Sequence, residues 1–284
     1  MEIETGQLIR LQIPIRARTL WLSPAWAVVC GVIASSAFVW TGRDVLIGAL
    51  ALVVVDGAWA TVWWGLVDTD WRSLFVSWDT FDVTHVETTW GAMGSSAARS
   101  QHGFARLRLW WQVIGKERAG SPILSAIFSA ALACLLSAVI GAVAIGLTLA
   151  ALALTQIGLI LRVHGRMVNW LHGFVDVGLA WLLGHAAFGQ LTLLSALSAL
   201  IFSFSYAAVL DVPQRGVHQR RWLIPQLIMV VILVLLQQPF AALALFTMLI
   251  AQASLSTALH GLDFARTAQV WLMLSMLIAA LGIR

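Results

Sequence analysis

Residues 206–221 carry the densest set of side chains that could do chemistry. This polar stretch follows a long apolar run and includes a phenol, a carboxylate, amides, an imidazole and three guanidinium groups. The candidate site residues are Tyr206, Asp211, Gln214, Arg215, His218, Arg220 and Arg221. Carboxylate oxygens are the ligands that Mg²⁺ prefers, and guanidinium groups bind phosphate oxygens. The stretch is therefore a candidate site for a phosphate group, with or without a metal ion.

A second polar group stands where an earlier apolar run ends. Asp68 and Asp70 come directly after residues 45–67, and Arg72 follows them. Carboxylates three or four residues apart converge on one helix face, as a magnesium–diphosphate site requires. Residues 79–85 show such spacing, and the same pattern also fits an interfacial helix with a solvated face. Both interpretations of that stretch stand.

Two further acids, Asp56 and Asp176, lie inside apolar runs. A carboxylate within a membrane is costly and marks a functional site by default, although a protonated or paired structural carboxylate is an equally good interpretation. His172 precedes Asp176 by four residues and so lies on the same helix face. We expect these two side chains to pair.

The composition predicts an integral membrane protein. Hydrophobic residues make up 60% of the chain and charged residues 11%, with a mean hydropathy of +0.89. A soluble domain carries about 25% charged residues. The isoelectric point near 10.0 would suggest nucleic acid in a soluble protein. Here the positive charges fall in loops beside the membrane, so we expect no nucleic-acid partner.

The apolar runs predict nine transmembrane helices, because a span needs about 20 residues. Two runs have double length and must fold back, one near Gly141 and one at Gln237-Gln238-Pro239, where proline cannot continue a helix. The predicted runs are 20–40, 45–67, 119–161, 167–183, 191–210, 222–262 and 268–283.

Charge placement gives this count an orientation. With nine alternating helices, all of the 17 basic residues except Arg43 and Arg284 fall on one side. The positive-inside rule then places the N-terminus in the cytoplasm and the C-terminus outside. Residues 1–18 are predicted to form an interfacial amphipathic segment, and residues 68–118 a large cytoplasmic loop. Any active site should therefore open to the cytoplasm.

This architecture resembles the UbiA superfamily of intramembrane prenyltransferases. The shared features are nine helices, an inside N-terminus, and large polar loops after the second and sixth helices. The N-terminal segment Leu8-Ile-Arg10-Leu-Gln-Ile-Pro14 is also similar to the N-terminal segment of family members. The resemblance implies one all-α, UbiA-like membrane domain over residues 1–284. It also implies two Asp-rich motifs that hold magnesium and a prenyl diphosphate.

Both motifs are altered here. The second reads roughly Lys-Asp-Ile-Pro-Asp in the family, with another Asp four residues on. The chain keeps Asp211 and Pro213, and has Gln214 and His218 where acids are expected. In the first motif Asp68 matches the central Asp. Its neighbours do not match, and the motif's Asn is missing.

The resemblance thus implies catalytic roles for Asp68 and Asp211 and magnesium ligation by Asp68, Asp70 and Asp211. The diphosphate would contact the remaining polar residues, which are Arg72, Tyr206, Gln214, Arg215, His218, Arg220 and Arg221.

Two functions follow from this. The first is a divergent prenyltransferase that moves a polyprenyl chain from its diphosphate to a lipophilic acceptor, such as a quinone, tetrapyrrole or carotenoid precursor. The second is an inactive descendant that binds a pigment, quinone or lipid as a subunit of a larger membrane complex. Loss of acidic ligands favours the second function, and the family's chemistry favours the first.

Overall fold

The computed structural model describes residues 24–80, 104–215, 220–259 and 261–284. All regular elements in these ranges are helices, joined by short turns. Residues 1–18, predicted as an interfacial segment, lie outside the described residues, as does His218.

The first half of the bundle contains five helices, two of which include a π-helical segment. They are α1, Pro24–Ser35; α2, made of Gly42–Leu52, the π segment Val53–Trp59 and Ala60–Leu66; α3, Trp71–Thr80; α4, made of 104–110, the π segment Trp111–Gly120 and Ser121–Ile140; and α5, Ala142–Val163.

The second half also contains five helices. They are α6, made of Asn169–Gly173, the π segment Phe174–Leu179 and Ala180–Ala186; α7, Leu193–Arg215; α8, Leu223–Leu235, which follows the 3-10 turn Arg220–Trp222; α9, Pro239–Ala258; and α10, Gly261–Gly282.

The chain is a multi-pass membrane protein. Six helices among the described residues, α2, α4, α5, α7, α9 and α10, are long and apolar enough to cross a membrane. The other three predicted spans correspond to α1 and α8, which are shorter apolar helices, and to α6, which consists of three short segments. The count of nine spans and the orientation of the termini stay predictions.

Both predicted fold-back points are confirmed. Gly141 separates α4 from α5 with a φ of +146°, a conformation that glycine adopts without strain. Helix α9 begins at Pro239, after the two glutamines. The last helix begins at Gly261 rather than at Ala268. Gly261 has a φ of +56° and turns the chain there, and Asp263 lies in the favourable first turn of the new helix.

The connection 68–118, predicted as a large cytoplasmic loop, is helical in both of its described parts, α3 and the start of α4. These two parts pack together: Trp110 donates a hydrogen bond to Ser77 Oγ at 3.1 Å, and its ring meets Trp78 edge to face. Arg106 donates to the carbonyl of Trp78 at 2.7 Å and lies over the indole ring. The connection therefore carries a small packed cluster of its own.

Helices α1 and α6 cross at very short range. A Cβ built on Gly31 would lie 2.0 Å from the carbonyl oxygen of Trp181, and one on Gly184 would lie 2.2 Å from that of Val28. Small residues allow such contacts between membrane helices. The crossing has a glycine from each helix and so fixes α1 against α6.

A series of hydrogen bonds joins α6 to α7 at their connecting turn. Trp181 Nε1 donates to Ser195 Oγ at 3.0 Å, and Ser195 Oγ lies 3.0 Å from His185 Nδ1. His185 Nε2 lies 2.9 Å from the carbonyl oxygen of Gln190. One tautomer satisfies all these groups: Nε2–H donates to Gln190, and Nδ1 accepts from the serine hydroxyl. We call this series of hydrogen bonds the turn clamp.

Candidate functional site

Three helices bring their polar residues to one end of the bundle. The ring of Trp63, near the end of α2, stacks on His172, near the start of α6, with centroids 5.0 Å apart. Tyr206, in the second half of α7, meets the same imidazole edge to face at 6.4 Å. Asp68 and Asp211 each follow one of these aromatic residues by five positions. The ends of α2 and α7 are therefore at the same end of the bundle, beside the start of α6.

At this end Asp211 is held by Asn169. The amide Nδ2 of Asn169 donates a hydrogen bond to Asp211 Oδ1 at 2.7 Å, across 42 residues of sequence. Asn169 is the first residue of α6, and Asp211 lies in the last turn of α7. The bond therefore fixes the carboxylate where the two helices meet.

A cavity of about 450 Å³ adjoins this carboxylate. Helices α6, α7 and α8 form its walls, which are mostly apolar. The lining residues are Met167, Asn169, Trp170, Phe204, Ala207, Ala208, Asp211, Arg221, Ile224 and Pro225. The charged members are an acid and an arginine. The cavity suits an amphiphilic ligand that has a polar head and an apolar tail.

The apolar part of this cavity reaches the surface of the bundle. Trp170 is 47% exposed, Phe204 47% and Ile224 61%. In a membrane protein such exposed apolar side chains face lipid. A ligand in the cavity could therefore keep its tail in contact with the bilayer while its head stays near Asp211 and Arg221.

The first predicted acidic group lies outside the lining of this cavity. Asp68, Asp70 and Arg72 are exposed and do not line this cavity. Asp70 caps the start of α3: its Oδ1 accepts the backbone N–H of Ser73 at 3.1 Å, and its carbonyl accepts the Ser73 hydroxyl. Aspartate is a preferred residue at a helix start for this reason. This capping bond accounts for Asp70 without a metal ion.

Metal ligation was expected from Asp68, Asp70 and Asp211 together. Within residues 24–80, 104–215, 220–259 and 261–284, no three His, Cys, Asp or Glu side chains group in a way that could hold a metal ion. These three carboxylates therefore do not converge on one point in the structure. Magnesium binding itself stays a prediction.

Several predicted substrate contacts fall outside the described side chains. The backbones of Gln214 and Arg215 end α7 and that of Arg220 begins the 3-10 turn, but the positions of their side chains are not described. Of the predicted set at this end, the structure brings Asp211 and Arg221 to one cavity. Tyr206 lies instead in the cluster described next.

The predicted pair of His172 and Asp176 is confirmed. His172 Nε2 lies 2.8 Å from Asp176 Oδ2, and their side chains are 23% and 13% exposed. Trp63 and Tyr206, which surround the imidazole, are only 1% and 2% exposed. We call these four residues the inner cluster. Asp176 belongs to the π segment of α6, and Asp56 to that of α2. Such π segments occur frequently at functional sites.

Sequence reasoning missed Asn169 and Trp63 as site residues. Asn169 is the only asparagine in the chain, which is a usable signal, but its partner Asp211 is remote in sequence. Trp63 is one of 15 tryptophans, so its stacking on His172 could not be distinguished from a general membrane-interface role.

Comparison with family models, with curated proteins and with solved structures gives no match to this chain. The function must therefore be argued from the site.

Proposed function

We propose that the chain is a divergent, UbiA-like membrane prenyltransferase. It would transfer a polyprenyl chain from its diphosphate to a lipophilic acceptor, such as a quinone, tetrapyrrole or carotenoid precursor. The observation that carries this proposal is the cavity beside Asp211, which combines an acid and an arginine with apolar walls that reach the lipid-facing surface. A prenyl diphosphate has the matching division into an anionic head and an apolar tail.

The helix arrangement supports the same proposal. Nine helical segments of the chain can be counted as spans when α1, α6 and α8 are included with the six long ones. The two loops that carry acids in the family follow the second and sixth of these segments. The stack of Trp63 on His172, with Tyr206 beside it, supports placing those loops at one end of the bundle.

In this proposal Arg221 binds the diphosphate, because a guanidinium group bonds phosphate oxygens at two positions. Asp211 would not bind the phosphate directly, since like charges repel. It would instead hold a bound cation against the diphosphate oxygens, and the bond from Asn169 would keep it oriented. Magnesium bound there would stabilise the charge that develops on the leaving diphosphate.

Binding of farnesyl diphosphate to the purified protein in detergent, measured by calorimetry, tests the site. We expect Arg221→Gln to weaken binding by about tenfold, the effect of one charge-assisted hydrogen bond. Arg162→Gln is the matched control, because Arg162 is an exposed arginine in the last turn of α5 and does not line the cavity. Equal losses in both variants would mean that only general positive charge attracts the ligand, and the site would be wrong.

Turnover is tested by release of diphosphate from farnesyl diphosphate in the presence of magnesium and a membrane lipid extract as the source of acceptor. We expect the wild type to release diphosphate and Asp211→Asn to lose this activity while it still binds the substrate. Binding without release in the wild type would refute the transferase and leave a binding protein.

That binding protein is the second candidate, and one observation favours it. The described residues hold no group of three metal-ligating side chains. Ionising an allylic diphosphate depends on metal-bound charge, so a site with few carboxylates would bind its ligand without cleaving it. Such a protein would hold a pigment, quinone or lipid as a subunit of a membrane complex.

Restoring acids in the second motif separates the two candidates. The variant Gln214→Asp with His218→Asp restores the two acids of the second motif. If the protein is an inactive descendant, magnesium-dependent binding of farnesyl diphosphate should be weak in the wild type and stronger in the variant. Tight magnesium-dependent binding by the wild type would instead favour an active transferase with a changed ligand set.

A further inference from the structure

The exposed face of α5 carries a regular row of residues. Six of them follow one another at alternating spacings of four and three, and all six are exposed: Ala142, Gly146, Leu149, Ala153, Gln156 and Ile160. Such spacing keeps side chains on one face of a helix. We call these six residues the α5 stripe. The opposite face of α5 is buried in the bundle through Ala144, Thr148, Ala151, Thr155 and Gly158.

Gln156 is the unusual member of the α5 stripe. It lies seven residues before the end of α5, which is about 10 Å inside that end at 1.5 Å per residue. Its depth is therefore within the apolar layer of a membrane that α5 crosses. No hydrogen bond joins its amide to another described residue. The exposed hydroxyls of Thr247, Ser254 and Thr257 on α9 differ, because each donates to a carbonyl of its own helix.

The small residues of the stripe leave room for another helix. Ala142, Gly146 and Ala153 have little or no side chain, and a methyl group added at Gly146 would meet no atom within 4 Å. Elsewhere the lipid-facing surface is built mostly from large apolar side chains, such as Leu124 on α4 and Phe246 on α9. Membrane helices associate through small residues and through hydrogen bonds between polar side chains. The α5 stripe offers both.

A second copy of the chain matches this face. Two copies that insert in the same direction are related by a two-fold axis along the membrane normal, so each stripe residue lies at the depth of its own counterpart. Gln156 of one copy then meets Gln156 of the other. A primary amide both donates and accepts hydrogen bonds, so two such amides satisfy each other.

The chain already contains an amide pair of this kind between two apolar helices. Gln226 on α8 and Gln252 on α9 are wholly buried, and the Nε2 atom of each donates to the Oε1 atom of the other, at 3.1 and 3.4 Å. Reciprocal glutamine pairing therefore joins helices within this bundle. The same bonds between two copies would satisfy the Gln156 amide.

We propose that the α5 stripe is a homodimer interface in which Gln156 pairs with its counterpart in the second copy. A repeat of 3.5 residues is the spacing at which two parallel helices pack along their whole length, and one polar residue in such a seam fixes their register. The described lining of the cavity beside Asp211 includes no residue of α5. The dimer is therefore independent of prenyl transfer, and either proposal can fail alone.

Energy transfer between copies labelled at the C-terminus, measured in lipid vesicles at decreasing protein-to-lipid ratio, gives the dimer dissociation constant. We expect Gln156→Leu to raise this constant about tenfold through loss of the paired amides. Thr247→Leu is the matched control, because it also removes an exposed polar group from a membrane helix but lies on α9. Its dissociation constant should equal that of the wild type. Wild-type affinity in Gln156→Leu, an equal loss in both variants, or a monomeric wild type would each overturn the proposal.

Disulfide cross-linking in membranes locates the interface without changing Gln156. Ala153→Cys lies in the α5 stripe, and Leu243→Cys is an exposed position on α9. Both variants carry Cys134→Ala, and the other native cysteine, Cys30, is buried. A disulfide needs Cα atoms less than about 7 Å apart, which two helices packed along the stripe provide. We expect a cross-linked dimer from Ala153→Cys alone. Equal cross-linking of both variants, or none at Ala153→Cys, would refute the interface.

Discussion

Replacing Gly31 by alanine should separate α1 from α6. The added methyl group would lie 2.0 Å from the carbonyl oxygen of Trp181 and 2.9 Å from the backbone nitrogen of His185. These obstacles are backbone atoms, which cannot move aside as a side chain can. Carbon needs about 3.5 Å to a neighbouring heavy atom, so the helices must part by roughly 1.5 Å.

The cost can be bounded. Overpacking a well-packed core costs about 1–3 kcal/mol, and a displacement of this size belongs at the upper end. Alanine gains up to about 1 kcal/mol over glycine in a helix, which offsets part of the loss. We therefore expect Gly31→Ala to lower the free energy of unfolding by about 2 kcal/mol. For a chain of this size that lowers the melting temperature by about 4–8 °C.

Melting is measured by the fraction of protein that still elutes as a single peak from gel filtration after heating in detergent. Gly146→Ala on α5 is the matched control, because a methyl group there meets no atom within 4 Å. It should melt at or slightly above the wild-type temperature. If Gly31→Ala melts at the same temperature as the wild type, α1 and α6 are less tightly packed than described and the prediction is wrong.

Two other predictions concern the turn clamp and the topology. Ser195→Ala removes the shared hydroxyl and leaves the buried Trp181 Nε1–H and His185 Nδ1 without their partner, so it should cost about 1–3 kcal/mol in the same heating assay. Ser254→Ala, which removes an exposed hydroxyl bonded within its own helix, should leave melting unchanged, and equal shifts would refute the clamp. Reporter fusions at Gly189 and at Arg284 should both report the outer side, and a cytoplasmic signal at either would break the nine-span topology.

Local rules predicted much of the helix order. The fold-back at Gly141 and the break at Pro239 follow from backbone chemistry alone, and the His172–Asp176 pair follows from helix spacing. The start of α10 was missed because the charged residues Asp263 and Arg266 were assigned to the loop before the helix, whereas they lie in its first turns. Local signals determine such features, so one sequence is enough to find them.

The candidate site was less predictable because it depends on contacts between distant parts of the chain. The bond from Asn169 to Asp211 requires α6 and α7 to pack side by side with their polar ends aligned. Asp70 was predicted as a metal ligand, and in the structure its side chain caps the start of α3. The residue type was compatible with both roles, and only the position of Ser73 distinguishes them.

The turn clamp holds one end of the helix pair that carries Asn169 and Asp211. It ties α6 to α7 where Trp181, Ser195 and His185 are all buried. Toward the polar end the same helices are in close backbone contact, because a Cβ built on Gly173 would lie 2.5 Å from the carbonyl oxygen of Ser203. The bond between Asn169 and Asp211 lies beyond this contact. A ligand that competes for Asp211 would therefore displace the Asn169 side chain from a rigid helix pair, and the two helices would stay together.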